Sequence, residues 1–177
     1  MSAASSDPAG AIVFTDIVGF TALTAIHGDD AAVELLARQD RIVSELLPPN
    51  SRVVKELGDG LLLWFDDARA AVVTTVALLD RYDRDDGDLP LWVRVGIHWG
   101  RPKRRGTDIV GHDVNLASRI TDIAGTGEVL CSLVAAEQAQ ADGPIAGIGF
   151  ERLGAVVAKG IPDPIPLARV ARAPRLG

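Results

Sequence analysis

The sequence predicts an α+β protein in which helices flank a mostly antiparallel sheet built on a ferredoxin-like, palm-like βαββαβ core. Three observations lead there. Short apolar, β-branched runs and helical periodicities follow one another as strand, helix, hairpin, helix, strand, helix, strand. Two joins carry turn chemistry, Gly58-Asp59-Gly60 between apolar runs and Lys159-Gly160-Ile161-Pro162 near the end. Hydrophobic residues make up 47% of the 177 positions against 24% charged, enough apolar surface for one domain with a sizeable core, which excludes intrinsic disorder.

Each element has its own signal. Residues 11–16 (AIVFTD) form a buried strand ending in a carboxylate, and residues 17–21 turn into a helix. From 29 to 47, Val33, Leu36, Ile42, Val43, Leu46 and Leu47 recur at steps of three and four, an amphipathic helix stopped by Pro48-Pro49. Residues 52–57 and 61–65 are the hairpin strands. Residues 67–82 are helical, with Val72, Val76 and Leu79 on one face. A charged loop (83–88) precedes a central strand at 91–99, and residues 100–107 read as a basic loop. A helix at 114–124 points Leu116, Ile120 and Ile123 inward. A strand at 128–132, a helix to about 141 and strands at 150–158 and 165–170 complete the chain. The organisation is one domain, residues 10–170, between flexible ends at 1–9 and 171–177.

Composition narrows the function classes. With 18 Lys+Arg against 24 Asp+Glu the formal charge is −6, which argues against a nucleic-acid binder. Cys131 is the sole cysteine, so no disulfide scaffold exists within the chain. No stretch is long and apolar enough to span a bilayer, and residues 1–10 lack the features of a secretory signal. These features place the chain in the cytoplasm.

Two carboxylates stand out by position. Asp16 ends the first strand and Asp59 sits at the hairpin tip, and this topology can lay those two points side by side. Carboxylates so placed repel unless protonated or bridged by cations, and all-oxygen ligands suit Mg²⁺ or Mn²⁺. Taken singly, Asp16 reads as a helix cap and Asp59 as a turn residue. The helix start after Asp16 offers unpaired N–H groups to phosphates, as every helix start does. Asn115 and Arg119, four apart, share a helix face, where Arg fits a phosphate and Asn a sugar oxygen; an ordinary polar face has the same spacing. Lys55 and Asp108 supply a donor and an acceptor that match the edge of adenine, although Lys55 also reads as a solvated strand edge.

Three strings together, FTDIVGFT (14–21), KELGDG (55–60) and DIVGHDVNLASR (108–119), resemble the class III nucleotidyl cyclase catalytic domain, and VRVGIH (93–98) resembles the strand before the last of them. The likeness covers residues 10–170. It implies the class III cyclase fold and an adenylate cyclase that turns ATP into 3′,5′-cyclic AMP and pyrophosphate. It implies two divalent metal ions, Mg²⁺ or Mn²⁺, at Asp16, Ile17 and Asp59, with phosphates on Gly19, Phe20 and Thr21. Lys55 and Asp108 match the adenine-selecting pair, Asn115 and Arg119 the ribose-orienting and transition-state residues, and Lys159 a contact to the terminal phosphates. The family works as a head-to-tail homodimer with two shared sites, and residues 100–107 resemble a compact form of its dimerisation hairpin. Along one strand, Lys55 and Asp59 are about 13 Å apart, which fits a nucleotide shared between two chains. The alternatives are guanylate cyclase activity and a catalytically silent nucleotide-binding module. A diguanylate cyclase would carry a Gly-Gly-Asp/Glu-Glu-Phe hairpin, where this chain has Leu57-Gly-Asp-Gly-Leu61.

Overall fold

The computed structural model describes residues 7–173. The expected flexible ends lie mostly outside that range. The elements run β1 (Gly10–Ile17), α1 (Phe20–His27), α2 (Asp29–Leu46), β2 (Ser51–Glu56), β3 (Gly60–Phe65), α3 (Ala68–Asp83), β4 (Val93–Gly100), β5 (Lys103–Arg105), β6 (Asp108–Val110), α4 (His112–Ile123), β7 (Val129–Ser132), α5 (Leu133–Ala139), β8 (Ile148–Val156) and β9 (Ile165–Arg172). The main sheet has the order β2-β3-β1-β4-β7-β9-β8. Its first four strands are the βαββαβ core. Every pairing is antiparallel except β4 with β7.

The side-chain alternation of β1 decides which face the candidate site occupies. Ala11 and Val13 point to the larger core, with Leu61, Leu63, Phe65 and the buried stripes of α2, α3 and α5. Ile12 and Phe14 point to the opposite face, where α4 packs through Val114 and Ala117 against Leu62 and Trp64. Asp16 continues that second set, so it emerges on the α4 side. Beyond it, Ile120 of α4 packs with Leu130, Ile161, Ile165 and Leu167.

Several local expectations are corrected. The turn after Asp16 leads into a separate two-turn helix, α1, because Gly28 breaks the periodicity before α2. In α2 the core face carries Leu35 and the buried side chains of Arg38 and Gln39, whereas Val33 is 66% exposed. Arg38 pairs with Asp85 and donates to the Leu89 carbonyl at 2.8 Å, a contact across the charged loop that helical spacing does not reveal. Ile123 is 37% exposed, because it closes α4 at the surface. The stretch read as a basic loop holds β5, which pairs with β6 in a short hairpin where Arg105 opposes Asp108, at the place where the resemblance implied a compact hairpin. β9 continues through Ala171 to Arg172, since its ladder with β8 extends to Ile148. Asp67 caps α3 from outside the helix, its carboxylate accepting from the Arg69 and Ala70 amides at 3.2 and 3.1 Å.

Candidate active site

Asp16 and Asp59 meet because of the sheet register. In the β1–β3 ladder Asp16 faces Gly60, and the Ile17 amide donates to the Asp59 carbonyl at 3.1 Å. On the other flank the Val18 amide donates to the Trp92 carbonyl at 2.6 Å. The hairpin tip lies tightly on β1, and a Cβ at Gly60 would stand 2.4 Å from the Thr15 carbonyl oxygen. The Thr15 hydroxyl also accepts from the Leu61 amide at 3.2 Å. Burial, and then the neighbouring Asp16 carboxylate, hold the Asp59 carboxyl above its usual range.

Sequence reasoning did not single out Arg94. It lies directly opposite Asp16 in the β1–β4 ladder. Its guanidinium donates to the Asp16 carboxylate from Nε at 2.9 Å and lies 2.8 Å from it through Nη2. It also donates to the Asp122 carbonyl at 3.1 Å. Asp122 in turn accepts from Arg119 at 3.1 Å, so charges alternate along Asp16, Arg94, Asp122 and Arg119. The alternation of residues 93–97 was the available signal, because it places Arg94 on the α4 side with Asp16.

The donor set fits hard divalent cations. Two carboxylates repel across the site while Arg94 offsets only part of their charge, and both supply oxygen donors only. Such a set suits Mg²⁺ or Mn²⁺ over softer metals. Among the described residues no three His, Cys, Asp or Glu side chains converge, so waters and phosphate oxygens would complete the coordination. Next to it, α1 begins at Gly19 with no side-chain cap, leaving the first amides (Phe20 and Thr21) to an outside acceptor.

Lys55 and Asp108 are brought together directly. The ammonium donates to the Asp108 carboxylate at 2.8 Å, and the other oxygen accepts from the Ile109 amide at 2.8 Å. The Lys55 contact holds the Asp108 carboxyl below its usual range. Both side chains remain partly exposed, so a planar ring edge can reach them. A bulge in β2 between Val53 and Lys55 sets the direction of Lys55.

Asn115 and Arg119 lie on one face of α4, as their spacing predicts. They share a depression of about 220 Å³ with Ser118, Lys159, Gly160 and Ile161. A second depression of about 170 Å³ is lined by Asp16, Leu57, Gly60, Ser118, Thr121 and Asp122. Ser118 borders both.

Comparison with known proteins identifies the family and the fold. Residues 3–163 match the model of the adenylate and guanylate cyclase catalytic domain. An adenylate cyclase of Streptomyces griseus is 37% identical over 118 residues, 66% of this chain and 29% of that protein. A pH-sensitive adenylate cyclase of Mycobacterium tuberculosis is 31% identical over 162 residues, 91% of this chain and 40% of that protein. The chain thus spans well under half the length of these relatives. Among solved structures, the adenylyl cyclase CyaB of Pseudomonas aeruginosa superposes with a TM-score of 0.72 at 26% identity, over 96% of this chain and 97% of that one. An adenylate cyclase of Trypanosoma brucei gives a TM-score of 0.81 at 23% identity, over 99% and 93% of the two chains, a likeness of fold. With its motifs in order on this sheet and the family model matching nearly its whole length, the chain belongs to the class III adenylate and guanylate cyclase catalytic domains.

Proposed function

We propose that this chain is an adenylate cyclase that converts ATP into 3′,5′-cyclic AMP and pyrophosphate in sites shared by a head-to-tail homodimer. The observation that carries the reading is the convergence of Asp16 and Asp59 beside the uncapped start of α1. Two divalent cations, Mg²⁺ or Mn²⁺, would be held by these carboxylates and the Ile17 carbonyl, and when bound they supply Lewis-acid polarisation of the ribose hydroxyl and the phosphates.

The chain's own residues do the rest. Gly19, Phe20 and Thr21 present backbone N–H groups to the phosphates. Lys55 donates to the adenine ring nitrogen, and Asp108 accepts from the 6-amino group. Asn115 orients the ribose, so that its 3′-oxygen faces the α-phosphorus opposite the pyrophosphate oxygen. The O3′–P bond forms as the bond to the β-phosphate bridge breaks, and the hydroxyl proton passes to solvent. Arg119 offsets the charge that grows on the α-phosphate, and Lys159 holds the departing phosphates. The Lys55–Asp108 ion pair supports ATP over GTP, because guanine presents a donor and an acceptor in the reverse order at those two atoms.

One assay tests the reading. Chain incubated with Mn²⁺ and either ATP or GTP is analysed chromatographically for cyclic nucleotide. Cyclic AMP is expected, and it disappears in Asp59→Ala while the melting profile persists. Full turnover in folded Asp59→Ala overturns the role of the carboxylate pair, and absence of any cyclic nucleotide from the wild-type dimer overturns the activity.

A further inference from the structure

We propose that the pocket between the start of α4, the β7–α5 junction and the β8–β9 connection binds a neutral, flat, two-ring molecule that carries a hydrogen-bond donor. This pocket of about 230 Å³ lies behind the candidate active site and shares only Ile161 with the depression that holds Asn115 and Arg119. Nothing in the proposed reaction uses it. Its size gives the first constraint. A dry engineered cavity of about 150 Å³ accommodates benzene, so this one has room for two fused rings. Its walls are aliphatic and ring surfaces, among them Leu116, Val134 and Ile161, which favour a flat apolar body.

The polar floor gives the second constraint. His98 is buried and bonded at both nitrogens, to the Asp113 carboxylate at 3.3 Å through Nε2 and to the Ser132 hydroxyl at 2.8 Å through Nδ1. Asp113 only accepts, so the imidazole proton belongs on Nε2. Nδ1 is then an acceptor and takes the Ser132 hydroxyl proton. Burial lowers the His98 pKa and keeps this neutral form. Ser132 Oγ has spent its proton and accepts from the Ala135 amide at 3.3 Å, which leaves one lone pair and no donor. The Asp163 carboxylate, also on the lining, likewise only accepts. Asp113 behind the floor and Asp163 at the wall disfavour an anion, while His112, also on the lining, can donate or accept and sets no preference of its own. A ligand N–H or O–H is the complement of these groups.

The experiment uses indole, a two-ring molecule with a single N–H, and 1-methylindole, which keeps the shape and loses the donor. The isotope-labelled chain is titrated with each and followed by amide resonances. Indole is expected to shift Ser132, Val134 and Ile161 saturably, with Kd of about 1 mM or tighter. 1-Methylindole is expected to bind about fivefold more weakly or worse. Val134 is 45% exposed at the pocket wall, so Val134→Trp fills the space without entering the core and should abolish the saturable shifts. No saturable shift with indole, or equal affinity for the two indoles, overturns the proposal. So does unchanged binding in folded Val134→Trp. The two-indole comparison needs no variant, and none of these readouts depends on cyclase activity.

Discussion

Gly60→Ala probes the contact that brings the two carboxylates together. The added methyl would stand 2.4 Å from the Thr15 carbonyl oxygen, and that atom belongs to rigid backbone in the middle of the sheet. The strands must part by about 1 Å before this becomes an ordinary contact. That movement stretches the Ile17 amide bond to the Asp59 carbonyl and the Leu61 amide bond to the Thr15 hydroxyl. Overpacking of this kind costs about 1–3 kcal/mol, which for a chain of this size lowers Tm by roughly 2–12 °C. A misplacement of about 1 Å between reacting groups lowers kcat/KM by about 100-fold. Gly58→Ala is the control at the same tip. Gly58 has φ +72° with open space around its Cβ position, so alanine there meets backbone strain of about 1 kcal/mol without a clash. Calorimetry and cyclic AMP chromatography on both variants separate the effects. If Gly60→Ala melts with the wild type and turns over within threefold of it, the close approach does not hold Asp59 in place.

Three further outcomes follow from the geometry. Exchanging Lys55 for Glu and Asp108 for Cys should lower the ATP-to-GTP preference by about tenfold or more; an unchanged ratio in competition assays would remove the pair from base selection. Mixing inactive Asp16→Ala with inactive Arg119→Ala should restore partial activity, since one hybrid site is then intact; no recovery in demonstrated hybrid dimers would refute shared sites. His98, faced by Asp113 and His112 of α4 and by Ser132 of β7, is held neutral by burial below its usual value of 6.5. Its contribution to stability is therefore complete above about pH 6.5 and is lost as pH falls towards the folded-state value. Urea titrations from pH 7.5 to 5.5 should show that loss in the wild type and a flatter profile in His98→Gln; parallel profiles would exclude His98 as the source.

Apart from the Asp16–Asp59 pair, read from topology, and the residues matched through the family resemblance, the legible part of the candidate site consisted of residues whose neighbours in sequence are also their neighbours in space. Asp59 sits in a three-residue turn, Asn115 and Arg119 are one helical turn apart, and Gly19 to Thr21 begin a helix. Such local patterns carry their geometry with them. Arg94 escaped notice because nothing near it in sequence sets it apart; its meaning comes from standing opposite Asp16, 78 residues away. The same holds for the buried Arg38 pairing with Asp85 across the charged loop.

The sequence by itself determined the order of strands and helices, the turn at Asp59 and the residue types that the cyclase family places at its reaction centre. Periodicity and turn chemistry act over a few residues, and a linear string records them in full. Tertiary structure decided that Asp16 emerges on the α4 side, that Arg94 bonds to it, that Lys55 and Asp108 meet across 53 positions, and that a pocket opens behind α4. Those facts depend on strand register and on how closely separate elements approach, which sheet pairing and close packing settle only once the whole core has formed.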